Sequence, residues 1–215
     1  MKFTRSLVVS AIFILVAVGV AVWLYPHLPN RVPSHWDIHG QVDDYLPRFW
    51  AAAMAPLTMA GLAILMVLLP LISPRRFEIR PFVRVYITLM LVSQGFVLVI
   101  GVVTLLAGAS YAVPVPLVAM LAVGALFMVL GNYMGKLRKN FFVGIRTPWT
   151  LASDAVWERT HRLGGWAFML GGVVLIIGAL VGGVLWPVIA AVVIAAVIPM
   201  VYSFVIYRCL EGRHS

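Results

Sequence analysis

Six long apolar runs constrain this chain more than any other feature of its sequence. They cover about residues 6–25, 50–72, 85–108, 114–133, 164–185 and 187–207, and each is close to the roughly 20 residues that a helix needs to cross a bilayer. Backbone polar groups must be paired inside hydrocarbon, and the alternating pattern of a membrane β-barrel is absent. We therefore predict an all-α, polytopic integral membrane protein with six transmembrane helices.

The composition and the distribution of charge support this prediction. The chain is 63% apolar and 11% charged, whereas soluble domains are about 45–50% apolar and 25% charged. With six spans, all but two of the 16 Lys and Arg residues fall on the side of the N-terminus, the exceptions being Arg31 and Arg48. The positive-inside rule then places both termini in the cytoplasm. The first run is too long for a signal peptide and lacks a small-x-small cleavage site, so we expect a retained anchor.

The net charge of +9 also bears on which partners the chain binds. Basic inner loops of a multispan protein meet anionic membrane lipids, at roughly 1 kcal/mol for each cation near the surface. No direct nucleic-acid binding is therefore needed to explain the charge.

Two features of the apolar runs predict how the helices pack. Gln94 lies within the third run, where an amide is costly unless bonded, so we expect it to face another helix. Glycines recur at seven-residue spacing on the fifth run and lie along one helix face, which permits close backbone approach. The glycines that predict tight packing of spans four and five are Gly164, Gly165, Gly171, Gly172 and Gly178, with Gly124, Gly131 and Gly135 on span four.

The longest polar interval, Gly131 to Leu163, has the sequence of a shaped loop. Gly144 is suited to positive φ, and Pro148 moves Thr147 out of the helical region. Ser153 is predicted to cap the following helix. The segment contains G-N-Y-M-G-K-x-R-x-N-F-F-x-G-I-R-T-P-W-T-L, followed by V-W-E-x-T-H-R.

A second motif lies in the outer loop that the topology predicts between spans one and two. It reads P-x-H-W-x-x-x-G-x-x-D-x-Y from Pro33 to Tyr45, and Gly40 is predicted to form a turn beside the acidic pair that follows it. The alternating His35, Asp37 and His39 would share one face of a strand, which makes them a weak candidate metal site. The alternative is a polar outer surface with Trp36 packed on the bundle.

The inner motif resembles the signature of the SdpI family, bacterial membrane proteins that give immunity to a sporulation-delaying peptide toxin. The outer motif resembles a domain of unknown function that often precedes the SdpI region. The chain then divides into 1–84, a two-span helical hairpin with an outer loop over 26–49, and 85–215, an SdpI-like four-span region with a cytoplasmic loop over 134–163.

The resemblance implies a non-enzymatic receptor in the bacterial cell membrane that protects against a secreted, membrane-active peptide toxin. In some members it also implies capture of a cytosolic repressor. Our own hypothesis assigns toxin contact to the outer loop, through His35, Trp36, Gly40, Asp43 and Tyr45. It assigns binding or signalling on the cytoplasmic side to Asn132, Asn140, Gly144, Arg146, Thr147, Pro148, Trp149, Thr150, Trp157 and His161.

Two other classes of function remain as alternatives. A small transporter or lipid-handling protein would use Arg146 on a phosphate headgroup and Gln94 along a path, although no ionisable residue lies deep in any run. A membrane metalloenzyme would use Glu158 with His161, which share a helix face, or the His35, Asp37 and His39 set. The simpler interpretation, which we favour, is an inner-surface helix whose His161 forms a hydrogen bond with the loop. Motifs of known catalytic constellations are absent, so we predict no catalytic residue and no cofactor.

Arg146 has two interpretations of its own. Its guanidinium is suited to clamping either backbone carbonyls within the loop or a ligand, with Trp149 stacked beside it. The three tryptophans Trp149, Trp157 and Trp166 are expected to mark the inner membrane interface.

Overall fold

The computed structural model describes residues 3–37, 39–74 and 79–211. The chain forms the following elements in order: α1 Phe3–Leu24, β1 Arg31–Trp36, β2 Val42–Pro47, α2 Arg48–Ile72, α3 Val83–Gly108, α4 Val115–Met134, α5 Pro148–Ala152, α6 Asp154–Leu180, α7 Leu185–Val192 and α8 Ile198–Glu211.

Six helices in the described part of the chain are long and apolar enough to cross a membrane, which confirms the predicted fold class. They are α1 to α4, α6, and a last span in which α7 and α8 are joined by a π-helical turn at Val193–Val197. The basic residues Lys2, Arg75, Arg76 and Arg213, which the topology predicts on the inner side, lie outside the described residues.

The fifth span begins about ten residues before its apolar run. Helix α6 starts at Asp154, directly after the predicted cap residue Ser153, although the Ser153 side chain makes no capping hydrogen bond. Its first turns are amphipathic: Trp157 and His161 are buried, whereas Glu158 and Arg159 are exposed. A hydropathy pattern detects only the later turns, which are apolar on all sides.

Helices α4 and α6 pack as an antiparallel pair through glycine, as the sequence predicts. A Cβ atom on Gly131 would lie 2.6 Å from the carbonyl oxygen of Gly165, and one on Gly172 would lie 2.6 Å from that of Gly124. Each backbone therefore touches the other directly, at two points seven residues apart on both helices. This contact fixes the position of the polar segment that follows α4 relative to the start of α6.

The first three helices form the other half of the bundle. The Nε2 of Gln94 on α3 donates to the carbonyl of Met59 on α2 at 3.2 Å, and the amide is fully buried. The prediction that Gln94 faces another helix is confirmed, and its bond is interhelical. The hydroxyl of Tyr86 makes a second bond of this kind, donating to the carbonyl of Leu65 at 3.0 Å.

The polar segments lie at opposite ends of the bundle. We call the end that holds the β1–β2 hairpin the outer end and the end that holds Phe3, Met134 and Asp154 the inner end, following the predicted topology. The hairpin is the two-stranded antiparallel sheet, with Arg31 paired to Pro47 and Trp36 to Val42. The segment from Gly135 to Ser153, including α5, forms the inner loop.

Candidate functional site

The turn of the outer hairpin is built by Asp37 and Gly40. The carboxylate of Asp37 accepts the backbone N–H groups of His39 and Gln41, both at 2.8 Å. Gly40 has φ of 76°, a conformation that suits glycine, which confirms the predicted turn. The N–H of Gln41 in particular lowers the pKa of Asp37, because it stabilises the charged carboxylate.

The strands of the hairpin bring two of the predicted toxin-contact residues together. The Nδ1 of His35 lies 2.6 Å from the Oδ1 of Asp43 across the sheet, and both side chains are largely exposed. Tyr45 is also exposed, and Trp36 is half-buried. Gly40 lies at the tip, away from this pair, where it and Pro116 line one cavity.

Val32 anchors the hairpin to the helices. Its side chain is fully buried in a cluster with Leu24, Leu28 and Leu105. Gly108 makes room for it, since a Cβ atom there would lie 2.6 Å from a Val32 methyl group. The hairpin is therefore seated on the outer end of α3, while most of its polar side chains face outward.

An amphipathic groove separates the hairpin from α2 and α3. This cavity has a volume of about 420 Å³. The hairpin contributes Ser34, His35 and Asp44, and the helices contribute the apolar floor. The residues of that floor include Met54, Ala55, Phe96, Val97 and Ile100, with Thr58 and Thr104. The groove thus offers polar and apolar surface side by side.

The structure does not support a metal site at His35, Asp37 and His39. Strand β1 ends at Trp36, so these residues do not share one strand face, and Asp37 is engaged by the turn. Across residues 3–37, 39–74 and 79–211, no group of three His, Cys, Asp or Glu side chains is placed to hold an ion.

Asn140 organises the first half of the inner loop. Its amide NH₂ donates to the carbonyls of Arg138 and Val143, at 2.8 and 3.0 Å. Its amide oxygen accepts the N–H groups of Phe142 and Val143, at 2.8 and 2.7 Å. The side chain is fully buried, so all four bonds serve the shape of the loop.

His161 and Gly144 join the loop to α6. The N–H of Ile145 donates to His161 Nε2 at 3.0 Å, which assigns the ring proton to Nδ1, 2.9 Å from the carbonyl of Trp157. The predicted hydrogen bond from His161 into the loop is confirmed. Gly144 has φ of 115°, and a Cβ atom there would overlap Nε2.

Trp157 is buried inside the protein, so its predicted place at the membrane interface is wrong. Its indole N–H donates to the carbonyl of Leu137 at 2.9 Å, and its ring stacks on His161 with centroids 3.9 Å apart. In a sequence, any tryptophan near the end of an apolar run suggests an anchor at the membrane interface. Trp157 instead packs against the inner loop, which shields it from both lipid and water. Trp166, by contrast, is 71% exposed.

Hydroxyl groups connect the second half of the loop to the last span. Thr147 caps α5 and forms a capping box with Thr150, with Pro148 in the first turn. The Oγ1 of Thr147 lies 3.1 Å from the Oγ of Ser203 on α8, and both groups are buried. Sequence reasoning missed Ser203, although a serine within an apolar run was the available signal.

Arg146 bonds within the loop. Its guanidinium donates to the carbonyl of Phe141, as one of its two predicted roles requires. Trp149 contacts Phe204 edge-on, with centroids 5.1 Å apart, rather than stacking on Arg146. Asn132 lies in α4 with an exposed side chain, before the loop begins.

Glu158 and His161, the proposed acid–base pair, lie in different environments, one exposed to solvent and the other buried. Glu158 is exposed and accepts from Arg138 at 3.2 Å, while both nitrogens of the buried His161 are engaged by backbone groups. A second ion pair, Lys139 with Asp154 at 2.5 Å, ties the loop to the start of α6. These contacts hold the loop against α6 and leave His161 inaccessible to a substrate.

Taken together, the six spanning helices define a multi-pass helical membrane protein. Residues 136–203 match the SdpI/YfhL protein family, and residues 12–60 match a domain of unknown function, DUF1648. These two matches, in this order along the chain, confirm the resemblance seen in the two motifs.

One curated relative aligns over nearly the whole chain. The Immunity protein SdpI of Bacillus subtilis (strain 168) is 25% identical over 210 residues, covering 95% of this chain and 97% of the relative. No solved structure matches this chain. The first family match covers the inner loop, α5, α6, α7 and the first turns of α8, which is where the buried contacts of the loop are made.

Proposed function

We propose that this chain is an immunity protein of the bacterial cell membrane that protects against a secreted, membrane-active peptide toxin. The observation that carries the proposal is the alignment with the Bacillus subtilis immunity protein over 95% of the chain, which includes both polar segments. The role requires binding rather than chemistry, in keeping with the engagement of Glu158, His161 and Arg146 in contacts within the protein.

The outer groove is the surface that best fits such a peptide. A membrane-active peptide has apolar and polar faces, and the groove presents both between the hairpin and α2 and α3. Asp43 and Asp44 supply negative charge for a cationic segment, while Trp36 and Tyr45 supply contact area. His35 both lines the groove and bonds to Asp43.

Survival assays test this role directly. The double variant His35→Ala/Asp43→Ala removes exposed side chains, so we expect normal membrane abundance and loss of protection in a bacterium challenged with a purified membrane-active toxin. The matched control is Arg31→Ala/Gln41→Ala, which alters exposed side chains of the same hairpin. Unchanged survival in the first variant contradicts the groove role, and a wild-type chain that protects against none of a panel of such toxins contradicts immunity altogether.

We further propose that the inner loop binds a cytosolic repressor when the toxin is bound. Buried residues such as Asn140 and His161 hold the loop, and exposed ones such as Arg138, Phe141 and Arg146 form its surface. A fluorescent fusion to a repressor encoded beside the gene tests this step. Toxin should move the fusion to the membrane in cells with the wild-type chain and not with Arg138→Ala/Arg146→Ala; equal movement with both contradicts the proposal.

The assigned sidedness has its own test. The exposed Cys209 is first replaced by serine, and Arg146→Cys or Tyr45→Cys is then introduced. A membrane-impermeant thiol reagent applied to intact cells should label position 45 and spare position 146. The opposite pattern would invert the topology and reverse the roles of the two ends.

A further inference from the structure

A large basic recess opens at the inner end of the bundle, apart from the buried network of the loop. Its volume is about 1010 Å³. Its walls are the turn before α3, the first residues of α3, the segment that follows α4, and the first two turns of α6. The proposed toxin contact does not use this space, and the proposed repressor contact shares with it only Arg138, which is bonded to Glu158.

The side chains that line the recess are strongly cationic. Among described residues the acidic side chain in its wall is that of Glu158, which is already bonded to Arg138 at 3.2 Å. The nearby Asp154 is bonded to Lys139 at 2.5 Å. The cations that line the recess are Arg80, Arg84, Lys136, Arg138, Arg159 and Arg162.

Two helix N-termini add to this positive potential. Helix α3 begins at Val83 and α6 at Asp154, and residues of both first turns line the recess. The free N–H groups of a helix start carry partial positive charge and favour phosphate groups. The recess thus combines cationic side chains with the partial positive charge of helix starts, although the N–H of Val83 is already bonded to the carbonyl of Arg80.

Part of the wall is apolar. Pro81, Val83 and Val85 line the same recess as the cations, and the two valines are partly buried. The recess also lies where spanning helices end, which is the depth of lipid headgroups. A free phosphate would use only the cations, whereas a phospholipid would place its phosphate on the arginines and its glycerol and upper acyl chain along this wall.

We propose that this recess binds the phosphate headgroup of an anionic phospholipid. Arg84 and Arg159 come from different helices, so a phosphate between them would join the start of α3 to the start of α6. The bound lipid would thereby link the first half of the bundle to the half that carries the inner loop.

Native mass spectrometry on the full-length protein tests the proposal. The protein is released from nanodiscs of phosphatidylcholine with a minor fraction of phosphatidylglycerol, and retained lipids are counted across a titration of phosphatidylglycerol. We expect Arg84→Gln/Arg159→Gln to raise the apparent dissociation constant for phosphatidylglycerol by about tenfold or more, because two of the cations that would contact the phosphate are removed. Arg80→Gln/Arg162→Gln is a second variant should the first fail to fold.

The matched control is Arg5→Gln/Arg208→Gln, which removes the same charge from exposed positions at the inner end but outside the recess. It should change the dissociation constant less than about twofold, since those cations do not line the cavity. If both double variants weakened phosphatidylglycerol binding equally, general surface charge would explain the binding and the proposed site would be wrong. Displacement of phosphatidylglycerol by inorganic phosphate at similar affinity would overturn the lipid assignment.

Discussion

The outer hairpin and the inner loop are held by different kinds of contact. The hairpin depends on backbone pairing, the Asp37 turn and one buried anchor, Val32, and it leaves His35 and Asp43 exposed. The inner loop depends on side chains that it buries, above all Asn140 and His161. Residues of the hairpin are therefore free to touch a ligand, whereas many residues of the inner motif are committed to the fold.

This difference changes how the inner motif should be interpreted. Five of its candidate residues have buried side chains that bond or pack within the protein: Asn140, Thr147, Thr150, Trp157 and His161. A partner on that side would meet the exposed residues around them, such as Arg138 and Arg146. Many residues of the inner motif therefore serve to fold the loop, and only some of them form its exposed surface.

The largest effect should come from Gly144→Ala. A side chain at φ of 115° is strained, and its Cβ would overlap the Nε2 of His161, so we expect a loss of about 3 kcal/mol or more and a large fall in the unfolding midpoint. Gly135→Ala is the control, because a Cβ there meets nothing within 4 Å. Tryptophan fluorescence during heating in detergent measures both; equal midpoints would show that the loop tolerates local rearrangement.

The next effect contrasts the two ends directly. Asn140→Ala leaves two carbonyls and two N–H groups of the inner loop without their buried partner, which should cost about 2–4 kcal/mol. His35→Ala removes an exposed hairpin contact and should cost less than about 1 kcal/mol. Unfolding midpoints that fall by the same amount would contradict the contrast between the ends.

A smaller loss is expected where α4 meets α6. Gly131→Ala places a methyl group 2.6 Å from the carbonyl of Gly165, and relief by separating the helices should cost about 1–3 kcal/mol. Gly19→Ala on α1, where a Cβ meets nothing within 4 Å, should be neutral or stabilising. Thermal unfolding of the two variants side by side provides the measurement. A neutral Gly131→Ala would mean that the helix pair adjusts freely.

The smallest expected effect is a weakening of the hairpin turn at low pH, which should not extend to the rest of the molecule. The folded pKa of Asp37 is depressed, so its charge stabilises the turn above the unfolded pKa, and that contribution is lost as pH falls through the folded value. The amide resonances of His39 and Gln41 should report this on acidification, while Asp37→Asn should abolish the titration. Acid-induced changes of equal size in Asp37→Asn would assign the effect to another group.

Much of the fold follows from the sequence because a bilayer imposes simple demands. Apolar length predicts the six spans, glycine spacing predicts the α4–α6 contact, and the buried amide of Gln94 predicts an interhelical bond. The hairpin strands, the short helix α5 and the π-helical turn were not predicted. They depend on which backbone groups find partners once the helices have assembled.

The candidate site was predictable in its location but less so in its roles. Gly144 and His161 behave as the sequence predicts, through positive φ and a hydrogen bond with the loop. Thr147 forms a cap that was not predicted, whereas the predicted cap residue Ser153 makes no side-chain bond. Trp157 was misplaced because burial by a neighbouring loop has no signature in a single sequence. Ser203 was missed because its partner, Thr147, is 56 residues away in the chain.

Helix α4 has a further consequence for communication between the two faces. Pro116 in its first turn lies by the hairpin tip at Gly40, and just past its other end the carbonyl of Leu137 accepts the indole N–H of Trp157. Twenty helical residues span about 30 Å. A single helix therefore connects the outer hairpin tip to the fold of the inner loop, so a rigid tilt of α4 at one end would displace the groups at its other end.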